Sequence, residues 1–249
     1  MALKWAMLKC PFAAVVLGLA VTTQQVSSQE TRPFTVETVA EGLEVPWAMA
    51  WDPTGRLLVT ERPGRVRAIR DGKLLEKPVF EVDDIRTGGG GEIGLMGICL
   101  HPEFASNGFL YVAYGDKKEK DVRVVRLKQS ATGSISEDKV IVKGVPASAN
   151  HAGCAIKFGP DKKLYITCGE AFRRQLAIDM NSLGGKTLRV NDDGSIPDDN
   201  PFVGDKRARA EIWSFGHRNA QGMDWNEAGV MFQSEHGPSG EVGTGAMTR

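Results

Sequence analysis

Residues 150–175, NHAGCAIKFGPDKKLYITCGEAFRRQ, hold the pattern from which the rest of the chain is read. His151 leads into an apolar run, Gly159-Pro160-Asp161-Lys162 supplies turn chemistry, and Leu164-Tyr165-Ile166-Thr167 returns. Proline presets φ and glycine permits positive φ, so the two runs pair as a β-hairpin. Pairing brings the ends of the stretch together and places His151 and Glu170 at one end of the ladder. A histidine beside a carboxylate at a sheet rim is a candidate general base with an orienting partner. The same pair also describes an ordinary rim residue held by a hydrogen bond. Cys154 and Cys168 lie symmetrically about Asp161 and so face each other across the hairpin. They read either as a cross-strand disulfide or as two buried free thiols.

The strand–turn–strand unit recurs along the chain. Val45 to Glu61 carries it around Asp52-Pro53-Thr54-Gly55, and Gly64 to Ile69 continues as a third alternating strand. Met96 to Pro102 leads to Gly108 to Tyr114, and Gly222 to Asn226 leads to Gly229 to Glu235. Further strands are expected at 34–39, 79–82, 121–127 and 139–142. The copies recur at about 50 to 65 residues, the spacing of four-stranded blades with loop insertions. The expected fold is therefore all-β, a β-propeller with about four blades present. Each copy ends near an acid, namely Glu61, Asp116, Glu170 and Glu235. A propeller gathers equivalent loops around one mouth, where a site built from several blades would sit.

Composition narrows the function classes. Of 249 residues, 31 are Lys or Arg and 31 are Asp or Glu, so net charge gives no argument for nucleic acid or an anionic membrane surface. The 29 glycines favour a turn-rich β protein over a helical bundle. Residues 1–28 read as a signal peptide: Lys4 and Lys9 precede an apolar run too short to span a bilayer, and Val26-Ser27-Ser28 offers small residues for cleavage. Residues 29–249 are then an incomplete propeller domain, periplasmic or secreted, with no membrane attachment after cleavage. Gly88 to Gly91 precedes a strand rather than a helix and reads as a mobile loop, not a phosphate cradle. Asp192-Asp193-Gly194 and Asp198-Asp199-Asn200-Pro201 lack EF-hand spacing and read as solvated turns.

An ordered series of motifs carries a family resemblance. It comprises Val45-Pro46-Trp47, Thr60 to Arg65, Gly94-Leu95-Met96-Gly97 with His101-Pro102-Glu103-Phe104, and the His151 hairpin. Gly185 to Gly194, Gly216-His217-Arg218-Asn219-Ala220-Gln221-Gly222 and Ser234-Glu235-His236-Gly237-Pro238 complete it. Together they resemble the glucose/sorbosone dehydrogenase family, the soluble aldose sugar dehydrogenases that use pyrroloquinoline quinone (PQQ). The resemblance implies a propeller of the six-bladed quinoprotein glucose dehydrogenase type, with PQQ and calcium at its mouth. It implies oxidation of an aldose sugar at C1 to the lactone, with hydride transfer to PQQ and an external electron acceptor. In that reading His151 is the catalytic base, Glu170 its acid partner, and Arg218 stabilises charge beside the quinone. Glu92, Gln175, Arg218 and Asn219 match cofactor-binding positions. Gly237 and Pro238 match residues whose carbonyls hold calcium. A homodimer is compatible with the family.

The pattern breaks in two places. Where the family carries Gly-Gly-Arg or Ser-Gly-Arg after the base histidine, this chain has Gly153-Cys154-Ala155. The sequence also ends at Arg249, before two further blades that the resemblance implies, with their lysine and arginines for the PQQ carboxylates. These departures keep two rival readings open: a non-catalytic propeller binding carbohydrate or protein, and a calcium-dependent lactonase-type propeller.

Overall fold

A computed structural model describes residues 34–237. The chain divides into a short unit, Met1–Glu37, and a unit Thr38–Arg249 that contains every strand named here. The calls on residues 1–28 and Pro238 lie outside the described residues.

Strands β1 (Pro46–Trp51), β2 (Leu57–Glu61), β3 (Arg65–Arg70) and β4 (Lys73–Leu74) pair in chain order, and β5 (Phe80–Glu81) also pairs with β3. The next sheet holds β6 (Leu95–Leu100), β7 (Phe109–Gly115), β8 (Asp121–Gln129) and β9 (Ile135–Pro146). A one-turn helix, α1 (Phe104–Asn107), sits between β6 and β7. The third sheet is β10 (Ile156–Phe158), β11 (Leu164–Cys168), β12 (Lys186–Val190) and β13 (Ile212–Phe215). A pair, β14 (Ala220–Trp225) and β15 (Met231–Glu235), begins a fourth. All these pairings are antiparallel and, apart from β3 with β5, join chain neighbours; β1 packs on β6, β6 on β10 and β10 on β14. Sheets whose first strands neighbour one another in this way are propeller blades.

Turn chemistry explains the repeats. Asp52 Oδ1 accepts from the Thr54 and Arg56 N–H groups at 2.9 and 3.0 Å, and Gly55 follows at φ 81°. Asn226 Oδ1 accepts from the Val230 N–H at 2.9 Å, with Gly229 at φ 76°. Such Asx-type bonds replace backbone pairing where the chain reverses.

A second repeated device joins blades. Thr60 Oγ1 accepts from the Ala48 N–H within its own sheet at 3.0 Å and donates to the Met96 carbonyl of the next sheet at 2.6 Å. Thr167 repeats this: its Oγ1 accepts from the Ala155 N–H at 2.9 Å and donates to the Ala220 carbonyl at 2.8 Å. Both threonines are fully buried, so each bond satisfies backbone groups that water does not reach.

Some expectations are corrected. Residues 34–39 form no strand; their alternating pattern finds no ladder, and Phe34, Val36 and Val39 are exposed. The Gly88 to Gly91 run is a loop as expected, with Gly89 and Gly90 exposed, but a Cβ at Gly88 or Gly91 would run into Ala149. Asn200 is buried instead of solvated: with Asp199 and Asp161 it holds the Arg189 guanidinium, at 2.9 Å for its own Oδ1. Cys99, Cys154 and Cys168 are free and buried.

Candidate active site

The hairpin does bring His151 and Glu170 together. His151 Nδ1 lies 2.8 and 2.9 Å from the two Glu170 carboxylate oxygens. The residues are only 6% and 4% exposed, so this contact is shielded from water. The strand ends approach closely because residue 169 is glycine: a Cβ there would collide with the His151 carbonyl. His151, Ala171 and Phe172 all take left-handed backbone, with φ of 53°, 55° and 58°. That conformation is uncommon for residues with a Cβ and persists where surrounding contacts fix it. Here the Ala171 N–H donates to the His151 carbonyl at 3.1 Å, and the Phe172 N–H donates to Glu170 Oε2 at 3.0 Å. The turn lays the Phe172 ring on the imidazole, centroids 3.9 Å apart, while Phe172 itself is 59% exposed.

An ionised carboxylate only accepts, so Nδ1 facing Glu170 carries the hydrogen. In a neutral imidazole the lone pair is then on Nε2. The geometry thus makes an oriented base whose free nitrogen is Nε2.

Glu92 joins this site to two other blades. The Glu92 and Ile93 N–H groups both donate to the Ala149 carbonyl, which the glycine run allows to approach. The Glu92 carboxylate accepts from Asn219 Nδ2 at 3.0 and 3.1 Å, from Gln221 Nε2 at 3.1 Å and from the Ala152 N–H at 3.2 Å. Asn219 Oδ1 accepts from the Gly153 N–H at 3.1 Å. The loop carrying His151 is therefore held from both neighbouring sheets.

The Arg218 backbone is pinned on both sides. Its carbonyl accepts from the Glu170 N–H at 2.9 Å, and its N–H donates to Glu235 Oε1. Its guanidinium Nη1 donates to the His236 carbonyl at 3.2 Å. His217 bridges Glu235 Oε2 at 3.0 Å and Ser214 Oγ at 2.8 Å. Burial raises the Glu235 pKa, but the bonds from His217 and the Arg218 N–H outweigh it and hold the carboxyl below the usual glutamate range.

His151, Glu170, Glu92, Arg218 and Asn219 thus share one bonded network. Gln175 does not join it: it is exposed on the 3₁₀ turn Arg174–Ala177. Gly237 is exposed beside the His236 carbonyl that Arg218 engages. Gln221, His217 and Lys186 support the site without having been singled out from sequence. Gln221 had a signal in its place two residues after Asn219 in the same motif; its Nε2 donates to Asn219 Oδ1 at 3.2 Å. Lys186 is fully buried and donates to the Leu176, Ala177 and Gly184 carbonyls at 2.6, 3.1 and 2.8 Å, tying the Gln175 turn to β12. Burial pulls its pKa down to about 8.

The sequence profile described as Glucose / Sorbosone dehydrogenase matches residues 43–242. The chain belongs to the glucose/sorbosone dehydrogenase family. It is 36% identical over 214 residues to an Escherichia coli protein named aldose sugar dehydrogenase, covering 82% of this chain and 57% of that one. It is 30% identical over 250 residues to quinoprotein glucose dehydrogenase B of Acinetobacter calcoaceticus, covering 88% and 52%. The PQQ-bound aldose sugar dehydrogenase of Streptomyces coelicolor superposes with a TM-score of 0.73 at 35% identity, covering 81% of this chain and 59% of that one. This family chain spans about half the length of the curated relatives it matches. No helix among the described residues is long and apolar enough to cross a membrane.

Two cofactors are implied by the family, PQQ and calcium. For PQQ the donor set fits in kind: an oriented imidazole, a guanidinium and a carboxamide occupy one network. The calcium expectation rests on the Gly237 and Pro238 carbonyls, and Pro238 lies outside the described residues. Among the described residues no group of three or more His, Cys, Asp or Glu is placed to hold a metal ion, so side-chain carboxylates add no site to those carbonyl ligands.

Proposed function

We propose that the chain is the greater part of an exported PQQ-dependent aldose sugar dehydrogenase that oxidises an aldose at C1 to the lactone. The reading includes a cleaved signal peptide at 1–28, a propeller domain over 29–249, a periplasmic or secreted location and an external electron acceptor. The observation that carries it is the buried His151–Glu170 pair, bonded at 2.8 Å and linked to Arg218 through the Glu170 N–H.

Glu170 holds the imidazole in one orientation and leaves Nε2 as the base. His151 Nε2 then takes the proton of the sugar C1 hydroxyl, and Glu170 stabilises the imidazolium that forms. Phe172 covers one imidazole face and presents an exposed apolar ring on which a sugar ring face can rest. Arg218 supplies fixed positive charge where negative charge develops. When bound, PQQ supplies the two-electron acceptor for the C1 hydride. His151, Arg218 and Asn219 are the residues of this chain that would hold it.

The test uses the purified chain with PQQ, calcium, glucose and a dye acceptor. Dye reduction that depends on PQQ and is lost in His151→Ala is the expected result. Saturable sugar binding without turnover, or lactone hydrolysis without PQQ, would overturn the reading.

A further inference from the structure

We infer that Cys154 and Cys168 are a disulfide-forming pair that, when oxidised, clamps the two strand ends bearing His151 and Glu170. The register fixes their relation. Ile156 pairs with Ile166, and the Thr167 N–H donates to the Ala155 carbonyl at 2.9 Å. Cys154 lies before the start of β10, and extending the same register two residues past Ile156 sets it opposite Cys168. The backbones remain adjacent there, since a Cβ on Gly153 would lie 3.3 Å from the Cys168 Cα. Opposed residues in antiparallel pairs have Cα atoms about 4.5–5.5 Å apart. That span lies within the roughly 4.4–6.8 Å that disulfides bridge. Both side chains belong to the same buried cluster.

The positions give the bond a consequence. Cys154 follows His151 by three residues and Cys168 precedes Glu170 by two. A covalent link at this level prevents the end of the hairpin from opening, and that end presents the base to its acid. Lys186 stands opposite Cys168 in the register and favours its thiolate. Burial nevertheless pushes the Cys168 thiol well above its ordinary range, and the Cys154 thiol adds to the rise. In the folded chain both sulfurs are buried and shielded from an oxidant, so the bond forms while β10 and β11 are still open.

With oxidised glutathione as oxidant the step balances. One cysteine thiolate attacks a glutathione sulfur, giving a mixed disulfide and one glutathione thiolate. The second cysteine thiolate attacks the protein sulfur of that mixed disulfide and expels the second glutathione. The two cysteine protons end on the two released thiols. The protein pair is oxidised by two electrons and the glutathione disulfide is reduced by two.

The experiment refolds the full chain from urea with oxidised glutathione or with dithiothreitol, alkylates without reduction and digests with trypsin. Residues 144–157 and 164–173 should appear as one species, lighter than their sum by two hydrogens, only after oxidative refolding. Native chain given oxidised glutathione should form it at least about tenfold more slowly. In the oxidised chain, hydrogen exchange of the Ala171 N–H, which donates to His151, should slow several-fold. Independent alkylation of both cysteines after oxidative refolding, or a link to Cys99, would overturn the inference. Equal rates from native and unfolded chain would overturn its burial argument. The mass readout needs no variant, and Cys99→Ala should leave the linked species intact.

Discussion

Replacing Glu92 tests whether its carboxylate holds the site loops together. Glu92→Ala removes the acceptor for Asn219 Nδ2, Gln221 Nε2 and the Ala152 N–H. Asn219 and Ala152 are fully buried, so water cannot replace the lost bonds. Gln221 is half-buried and keeps Asn219 Oδ1 at 3.2 Å, so it loses less. Leaving a buried donor unsatisfied costs about 1–3 kcal/mol, so two such donors imply roughly 2–6 kcal/mol. Relief of a half-buried charge offsets part of this, which puts the expected loss at about 2–4 kcal/mol. Glu92→Gln should lose much less, about 0.5–1.5 kcal/mol, because one oxygen still accepts. Its new amide nitrogen would face Asn219 Nδ2, and Asn219 cannot flip without abandoning the Gly153 N–H. Urea unfolding of both variants against wild type, at constant m-value, reads the difference. Hydrogen exchange at Ala152 and Gly153 should rise in Glu92→Ala. Both variants falling within about 0.5 kcal/mol of wild type would refute the reasoning.

Three further outcomes follow from other buried groups. Thr167→Val keeps shape but strips the bonds to the Ala155 N–H and the Ala220 carbonyl, so it should cost about 1–3 kcal/mol by thermal unfolding and speed exchange at Ala155. The Glu235 carboxyl has a folded pKa below its ordinary 4.5, so its contribution is complete above that pH and is lost as pH falls through the folded value. Glu235→Gln should flatten that acid limb in a pH series of unfolding midpoints. Lys186 has a folded pKa of about 8 against 10.5 when free, so the unfolded chain binds more protons between them and stability rises with pH over that window. Lys186→Met should remove this rise and destabilise the chain at pH 7 by roughly 1–3 kcal/mol, since three carbonyls lose their donor.

Local chemistry explains what was legible. The hairpin at 150–175 was readable because alternation and turn residues agree, and its closure alone brings His151 to Glu170. The blades at β1–β2, β6–β7 and β14–β15 were readable for the same reason. Phe34 to Val39 misled because alternation is necessary for a strand but not sufficient without a partner. Strand β13 escaped notice because Ile212-Trp213-Ser214-Phe215 is short and does not alternate; β12 recruits it by pairing. Glycine content at Gly88 to Gly91 does not reveal the Ala149 backbone packed against the first and last of the four. Glu92 is separated from Asn219 by 127 residues, so only the assembled blades disclose that bond. The threonines at 60 and 167 left a usable trace, each near the end of a second blade strand, in Val-Thr-Glu and Ile-Thr-Cys.

The account depends on Glu170 fixing the His151 ring so that Nε2 carries the lone pair. Nitrogen-15 NMR of histidine-labelled chain at neutral pH, with His151→Gln to assign the signal, reads this directly. The predicted result is a protonated Nδ1 with a pyridine-type Nε2, changing to mixed tautomers in Glu170→Gln. A wild-type ring protonated on Nε2 and bare at Nδ1 would contradict it.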